Sequence, residues 1–496
     1  MQPPDVDTAC NAFAFADARD LHGPHAGQPL SAESLQMLRR LAVCAQRLQL
    51  LDLPQGPLAR LTPNGGDMIR PAASAPAVAD DPVNRMNVCL DRIAQFDPEL
   101  RAMSFVDETG ARKAALLARS STAGPLAGLP IVVKDNTDVA GMPTGYGAAA
   151  CFQTVPTRDA DVVSALRRAG AIVLGKSNMF EFAYGAAHPS VGDTRNPLDL
   201  ARSAGGSSGG SAAAIAAGFA FGAIGTDTGG SIRLPAAYCG IVGMKPSHGR
   251  VPMRGVFPLS PTLDHAGPMA AGVGDVRLML AVMTGPLPSS RSQSPLCLAV
   301  LDDWLYHPLI SPDVRNCIEA ACDHLAHAGF RIRHIPKGTL PDPVLVVETL
   351  LLVMAPEAAI ALERIEAAHP QSLTPATRAQ IAEGFAIPAV WTLRAHQFRG
   401  HLRAALAEAL QGDDALLLPT APTLPPTGAA EVGSQDDLSQ MLCLAPFNLT
   451  GQPAITLPVR VPNSVIPAGL QLVRSIGDDA ALLDVAERVE AALVCY

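Results

Sequence analysis

The chain has 496 residues, of which 48% are hydrophobic, so it is long enough to bury a large core. Its formal net charge of −9, with 17% charged residues, excludes a basic surface for nucleic acid. The ten cysteines are scattered without a CxxC pair, which indicates reduced thiols in a cytoplasmic protein and no zinc site. The N-terminus lacks a signal-peptide pattern, and no unbroken apolar run predicts a membrane span.

Residues 1–80 are predicted to be an N-terminal extension and linker that is partly helical. The stretch LSAESLQMLRRLAVCAQRLQLLDL (30–53) has leucines at helical spacing, with Ser31 as its N-cap. Residues 56–82 are rich in Pro, Gly and Ala, which is typical of an extended linker. Two roles stay open for the helix: it packs on the main body, which we favour, or it serves as a dimerisation or lid element.

The main body, residues 81–496, is predicted to be α/β. From about 85 to 300, helical patterns such as DVVSALRRAG alternate with short apolar strands such as LPIVV and AIVL. This alternation predicts a mostly parallel or mixed sheet. Residues 312–411 are mainly helical and are predicted to be an insertion or cap. Strand patterns return after 412 in ALLLP, AITLP and AGLQLV, before a closing helix.

Two glycine–serine loops, GGSSGGS and GTDTGGS, lie within residues 201–250, separated by an alanine-rich helix and a short strand. Neither has the GK[ST] ending of a phosphate-binding loop, and no GxGxxG precedes a helix. Glycine-rich turns let a backbone approach a ligand closely, and their consecutive N–H groups can form an oxyanion hole. The loops therefore favour acyl transfer over nucleotide binding.

Ser231, in the second loop, is the candidate nucleophile, and a serine hydroxyl needs a base. The chain has no GxSxG motif, and the nearest downstream histidines, His248 and His265, lie in no recognisable triad context. Lysine occurs only five times, and Lys134 ends the apolar strand LPIVVK at a polar turn. Two interpretations of Lys134 stay open: a side chain that extends to solvent, or a desolvated base with a lowered pKa.

The stretch GGSSGGSAAAIAAGFAFGAIGTDTGGSIRLPAAYCGIVGMKPS closely resembles the signature of the amidase signature hydrolases. LPIVVKDNTDVAGMPTGYG resembles the family's lysine region, and GKSNMFEFAYG and APFNLTGQPAITLPV match further stretches. The resemblance covers 85–300 well and 412–490 more loosely. It implies a single large amidase-signature domain whose central mixed β-sheet is covered by helices on both faces, to which a helical insertion and an N-terminal helical extension are added.

The resemblance also implies a Ser–cis-Ser–Lys triad. Ser231 matches the nucleophile, Ser207 the bridging serine and Lys134 the base, and the Gly206–Ser207 peptide is expected to be cis. Ser207 would pass a proton from Ser231 to Lys134 as Ser231 attacks the carbonyl carbon. The same relay would then protonate the leaving amine.

Further residues are assigned around this triad. The amides expected to hold the oxyanion belong to Thr228, Gly229, Gly230 and Ser231. Asp227 and Arg233 flank the nucleophile and are expected to be a structural charge pair. The substrate-binding wall is expected to contain Met142, Tyr146, Phe182, Tyr184 and Phe447. No metal or cofactor is expected, since His324 and His327 lie on a helix without an acidic ligand pattern.

The expected activity is hydrolysis of the C–N bond in a small or medium neutral amide through an acyl-enzyme; esters and carbamates stay open. The expected partners are that substrate and water, without nucleic acid or membrane, and a homodimer stays open. One alternative is an A-type subunit of a glutamine-dependent amidotransferase, and another is a non-catalytic binding protein on the same scaffold. The family's A-type subunits usually have Gln after the signature arginine, whereas this chain has Leu234, which argues against glutamine as substrate.

Overall fold

The computed structural model describes residues 32–51, 81–120, 124–288, 295–427, 435–462 and 464–493. The predicted linker 56–82 lies almost wholly outside the described residues. The helices are α1 (Ala32–Leu50), α2 (Pro82–Leu100), α3 (Glu108–Ala118), α4 (Asp161–Arg168), α5 (Gly209–Ala216), α6 (Arg233–Cys239), α7 (Val273–Thr284), α8 (Asp302–Leu305), α9 (Pro312–His327), α10 (Pro343–Ala368), α11 (Pro375–Ala386), α12 (Ala389–Ala409), α13 (Gln435–Gln440), α14 (Ala445–Thr450) and α15 (Asp479–Leu493). The strands are β1 (Met103–Val106), β2 (Pro130–Lys134), β3 (Ile172–Ser177), β4 (Arg195–Asn196), β5 (Asp199–Ser203), β6 (Gly222–Asp227), β7 (Val242–Lys245), β8 (His265–Ala270), β9 (Cys297–Leu301), β10 (Arg331–Ile335), β11 (Ala415–Pro419), β12 (Ala454–Val459) and β13 (Ala468–Val473).

A central sheet of 11 strands has the order β1-β3-β2-β6-β8-β7-β12-β13-β11-β9-β10, and β4 and β5 form a separate hairpin. The strands β3, β2 and β6 are parallel neighbours, as are β11, β9 and β10. Between these two groups, β8, β7, β12 and β13 pair antiparallel. The sheet is therefore mixed, as predicted.

Both faces of the sheet are covered by apolar side chains. Along β2, Ile131 and Val133 belong to one buried cluster, whereas Val132 belongs to a second cluster with the alanines of α5. Since successive strand side chains point to opposite faces, the two clusters lie on opposite sides of the sheet. The predicted fold, a single α/β domain with a central mixed sheet between helices, is confirmed.

Several helices begin with a short polar side chain followed by proline. Asp81, Ser311, Asp342 and Thr374 each accept a hydrogen bond from a backbone N–H in the first turn of α2, α9, α10 and α11. The next residue is proline in every case, which is suited to the first helical position because its missing N–H would have no partner there. The N-termini of these helices can therefore be predicted from a local sequence pattern.

The predicted helical segment 312–411 divides into two parts. Its first part, α9 and β10, belongs to the sheet and its cover, because β10 pairs in parallel with β9. Its second part, α10 to α12, forms a helical layer against which α1 packs. The helix α10 is the one described helix long and apolar enough to cross a membrane, but most of its length is buried inside the protein.

Candidate active site

The two glycine–serine loops meet at one edge of the sheet. Strands β2 and β6 are parallel neighbours, so Lys134 at the end of β2 and the loop after β6 lie at the same edge. The loop that precedes α5 brings Ser207 to this edge, and Lys134 Nζ donates a hydrogen bond to Ser207 Oγ at 2.7 Å. The Gly206–Ser207 peptide is cis, as predicted. Ser207 and Ser231 line the same cavity.

Lys134 is completely buried, so the solvent-exposed interpretation of this residue is wrong. Its Nζ also donates to Thr226 Oγ1 at 2.8 Å, and Asn136 Nδ2 donates to the same hydroxyl at 3.1 Å. Burial lowers the pKa of Lys134 to about 7, although the negative charges of Asp227 and Asp264 oppose the shift. A substantial fraction of neutral amine is therefore present near neutral pH.

The turn that carries Ser231 is closed by the carboxylate of Asp227. This carboxylate accepts hydrogen bonds from the N–H of Gly230 at 2.9 Å and from the N–H of Ile232 at 3.2 Å. Gly230 has φ +130, and a Cβ there would collide with Leu444, so glycine is required. The amide of Gly230 already has an acceptor in Asp227, which corrects its assignment to the oxyanion hole. The amides of Thr228, Gly229 and Ser231 are the remaining candidates.

Asp227 and Arg233 form a buried ion pair beneath this turn, in the geometry expected of a structural brace. Both side chains are inaccessible, and Arg233 Nε and Nη2 each donate to the carboxylate at 3.0 Å. The guanidinium also donates to Asn448 Oδ1 at 2.6 Å and Gln471 Oε1 at 2.7 Å. Burial alone would raise the pKa of Asp227, but Arg233 outweighs it and holds that pKa below its usual range.

A second buried carboxylate, Asp264, supports the same turn from another side. Thr228 Oγ1 donates to Asp264 Oδ1 at 2.6 Å, and the N–H of Ser260 donates to Asp264 Oδ2 at 2.9 Å. Burial raises the pKa of Asp264 to about 6. Near neutral pH the group is therefore largely ionised, and its charge helps to set the pKa of Lys134.

A cavity of about 440 Å³ opens above the two serines. Its base is formed by Gly206, Ser207 and the turn from Thr228 to Ser231. The other side chains of its wall are predominantly apolar, with a partly exposed polar group formed by Gln380, Glu383 and Gln440. The apolar and small wall residues include Met37, Leu41, Phe180, Leu234, Leu351, Met354, Ala355, Leu438, Met441 and Leu444.

Only one of the five predicted wall residues, Tyr184, lines this cavity. Met142 and Phe447 are buried in the core, and Phe182 stacks on Tyr146 with 5.4 Å between ring centroids. The backbone at Phe182 and Ala183 is left-handed, with φ 50 and 63, so the chain turns Phe182 into the core. The assignment of Met142, Tyr146, Phe182 and Phe447 to this wall is therefore corrected, and Phe180 and Leu444 take their place.

Other functional positions carried weak signals in the sequence or none. Asn136 follows Lys134 by two positions, and Thr226 precedes the signature turn, so their nearness to the motifs could have marked them. Asp264 lies at the end of a loop and carried no such mark. The wall residues of α1, α10 and α11 look like ordinary positions of apolar helices, and no local pattern distinguishes them.

The other two buried lysines lie outside the cavity wall and have structural partners. Lys176 Nζ pairs with Asp135 at 3.1 Å. Lys245 Nζ donates to the carbonyl oxygen of Gln452 at 2.6 Å and lies 3.1 Å from His265 Nε2. Burial in this chain is therefore not specific to the lysine of the site. What distinguishes Lys134 is its contact with a serine that faces the cavity.

A mixed α/β domain in which a buried lysine contacts a serine beneath two glycine–serine loops defines an amidase signature enzyme, from a family of C–N hydrolases. The sequence profile of the family described as Amidase matches residues 85–483, and the chain belongs to this family. The N-terminal helix α1 lies before the matched region.

The chain is similar to family members with different described activities. The A-type subunit of the glutamyl-tRNA(Gln) amidotransferase of Prochlorococcus marinus (strain NATL2A) is 32% identical over 461 residues, covering 82% of this chain and 93% of the relative. A crystal structure described as an amidase superposes with a TM-score of 0.77 at 36% identity, covering 84% of this chain and 96% of the other. The native peptide amidase from Stenotrophomonas maltophilia superposes with a TM-score of 0.71 at 28% identity, covering 84% and 94%.

Proposed function

We propose that the protein hydrolyses the C–N bond of a neutral amide with an apolar acyl group, through an acyl-enzyme on Ser231. The observation that carries this proposal is the 2.7 Å hydrogen bond between Lys134 and Ser207 at the base of a predominantly apolar cavity. Burial lowers the pKa of Lys134 to about 7, so its neutral amine can act as the base that a serine nucleophile needs. The cavity above it accommodates a small or medium substrate.

The first half of the reaction is acylation. Ser231 Oγ attacks the carbonyl carbon, its proton passes to Ser207 Oγ, and the Ser207 proton passes to the neutral amine of Lys134. The carbonyl oxygen becomes an oxyanion that accepts hydrogen bonds from among the backbone amides of Thr228, Gly229 and Ser231. The relay then runs in reverse: the proton returns through Ser207 to the leaving nitrogen, the C–N bond breaks, and the acyl group stays on Ser231.

The second half is deacylation by water. A water molecule attacks the ester carbon and gives its proton to the same Ser207–Lys134 relay. Breakage of the ester bond returns a proton to Ser231 Oγ and releases the carboxylic acid. The acyl group must stay in place between the two halves while the amine leaves, so an enclosed apolar wall suits the acyl side of the substrate.

A second function is favoured by the curated relatives, which are A-type subunits of glutamyl-tRNA(Gln) amidotransferase at 32–34% identity. In that case the same serine would release ammonia from glutamine and the chain would act with partner subunits. Two features weigh toward the first proposal: Leu234 stands after the signature arginine, and the cavity wall is mainly apolar, whereas glutamine carries two charges on its backbone groups.

The test is a screen of p-nitroanilides, esters, carbamates and glutamine with the wild type, Ser231→Ala and the surface variant Ser120→Ala. We expect hydrolysis of apolar anilides that Ser231→Ala abolishes and Ser120→Ala retains. A sulfonyl fluoride is expected to label the wild type at Ser231, as read by peptide mass spectrometry. Full activity in Ser231→Ala would contradict the proposal. Glutaminase activity that appears only with a co-purified partner would favour the amidotransferase role instead.

A further inference from the structure

The helix α1 contributes to the wall of the catalytic cavity although it lies outside the family-matched region 85–483. Three of its side chains, Ser34, Met37 and Leu41, line the cavity that also contains Ser207 and Ser231. Their spacing of three and four residues places them on one face of the helix. This face and the two serines therefore line the same cavity.

The helix packs against the helical layer of α10, α11 and α12. Its buried side chains are at most 2% exposed, and they are Ser34, Leu38, Leu41, Cys44, Ala45 and Leu48. Arg40 and Arg47 lie 3.8 and 3.6 Å from the carboxylates of Glu348 and Asp342 near the start of α10. The buried apolar face therefore places Met37 and Leu41 at the cavity, and the ion pairs lie at its edge.

The α1 wall residues Met37 and Leu41 are apolar, and Leu41 is 1% exposed whereas Met37 is partly exposed. The wall residues Gln380 and Glu383 of α11 are polar and partly exposed. An amine that leaves first must reach solvent, so the polar side suits the leaving group. The apolar side, formed by Met37 and Leu41 with Leu351 and Met354 of α10, suits an apolar acyl group that remains bound.

We propose that α1 determines the acyl specificity of this enzyme, with Met37 and Leu41 as the side chains that set the length of the apolar acyl chain. The inference rests on the proposed function, because it assigns one end of the substrate of the same site. Met37 and Leu41 act by van der Waals contact and by exclusion of water, without a part in proton transfer. Smaller side chains at these positions lengthen the apolar side of the cavity, and larger ones shorten it.

The experiment uses the full chain and a series of p-nitroanilides with acetyl, butyryl, hexanoyl and octanoyl groups. The variants are Met37→Ala, which lengthens the apolar side of the cavity, and Met37→Trp, which shortens it. Gln36→Ala is the matched control, since Gln36 is the exposed neighbour on the same helix. Met37 is only partly buried, so its replacement leaves the anchoring side chains of α1 in place. Leu41→Ala, at a buried position, is read together with its melting temperature.

We expect Met37→Ala to raise kcat/KM for the longer chains relative to acetyl, by about fourfold for each methylene newly accommodated. Met37→Trp is expected to lower the same ratio while the acetyl substrate still reacts, and Gln36→Ala is expected to leave it unchanged. An unchanged ratio in both Met37 variants, with wild-type rates on acetyl, would overturn the inference and leave the proposed function intact. A response confined to a series that varies the amine would also overturn it. Absence of hydrolysis in the wild type would instead count against the proposed function.

Discussion

The floor and the roof of the cavity differ in the interactions that hold them together: hydrogen bonds and ion pairs in the floor, mainly apolar packing in the roof. The floor consists of Lys134, Ser207 and the turn 227–233, whose buried charges and polar groups are joined by hydrogen bonds of 2.6–3.4 Å. The roof consists of the cavity-lining residues of α1, α10 and α11, which are mostly apolar or small, with Ser34, Gln380 and Glu383 as polar members. A buried polar group needs specific partners, whereas an apolar wall needs only volume and shape. We therefore expect the floor to tolerate fewer substitutions than the apolar part of the roof.

Removal of the proposed base is expected to have the largest effect. Lys134→Ala eliminates the group that takes the proton from Ser207, so kcat/KM should fall on the order of 10⁴-fold or more. The measurement is steady-state hydrolysis of an accepted anilide, with the exposed residue Lys113 replaced by alanine as the matched control. A loss of less than about tenfold would show that Lys134 is not the base.

Asp227→Ala tests the brace beneath the floor. The substitution leaves the Arg233 guanidinium buried without its carboxylate and leaves the N–H groups of Gly230 and Ile232 without an acceptor. The free energy of unfolding is expected to fall by about 3–5 kcal/mol, as measured by denaturant titration. Glu108→Ala, which breaks an exposed pair with Arg112, should cost less than about 1 kcal/mol. Equal losses in the free energy of unfolding for Asp227→Ala and Glu108→Ala would contradict the structural role of the buried pair.

The pH dependence of the rate tests the protonation state of Lys134 in the floor. Burial lowers the pKa of Lys134 to about 7, and only the neutral amine accepts a proton. In the free enzyme kcat/KM should therefore be constant above about pH 8 and fall about tenfold per pH unit well below pH 7. The measurement is the pH profile of kcat/KM for a neutral anilide whose chemical step limits the rate. A profile that stays flat from about pH 5 to 9 would exclude a titrating base of this kind.

Asp264→Asn is expected to move that profile by a smaller amount. The negative charge of Asp264 favours the charged form of Lys134, so its removal lowers the pKa of Lys134 further. The acid limb should therefore shift to lower pH, while the rate on the alkaline plateau reports any change in the Thr228 turn separately. A shift to higher pH would contradict the electrostatic assignment.

The smallest effect is expected for a conservative change in the roof. Met354→Leu keeps volume and apolar character, so the free energy of unfolding should change by less than about 1.5 kcal/mol. Arg233→Lys, in the floor, also keeps the chemical character of the side chain, but it loses the guanidinium's two parallel hydrogen bonds to Asp227. It should therefore lower the free energy of unfolding by more than Met354→Leu does. Thermal melts of both variants, with anilide hydrolysis, measure the contrast. A larger loss of stability in Met354→Leu than in Arg233→Lys would contradict the expected difference between roof and floor.

Much of the floor was predictable because its residues lie within short motifs. The spacing between Ser207 and Ser231, the glycines around them and a lysine at the end of an apolar strand are all local patterns. The family was predicted from the resemblance of these motifs, and the mixed α/β fold from the alternation of helical and strand patterns; both are confirmed, as is the cis peptide before Ser207 that the resemblance implied. The roles of Lys134, Ser207 and Ser231 in catalysis stay predictions that the variants above test.

The wall residues were mostly mispredicted because their motif neighbours share the same apolar character. Phe180 and Phe182 stand two positions apart, yet the left-handed backbone at Phe182 sends its ring into the core while Phe180 reaches the cavity. Near α14, Leu444 likewise lines the cavity while Phe447, three positions further on, is buried in the core. No sequence pattern distinguishes these alternatives, since both side chains in each pair are buried or half-buried and apolar.

The family of this protein and the motifs that carry its proposed chemistry follow from the sequence alone, because these side chains and the turns that hold them are specified by neighbours along the chain. The tertiary structure alone decided which side chains face the substrate, and it brought residues 34–41, 351–355 and 375–383 to the same cavity as Ser231. Their convergence depends on how α1, α10 and α11 pack on one another. Helix packing is determined by the summed contacts of many apolar side chains, and no local motif records its outcome.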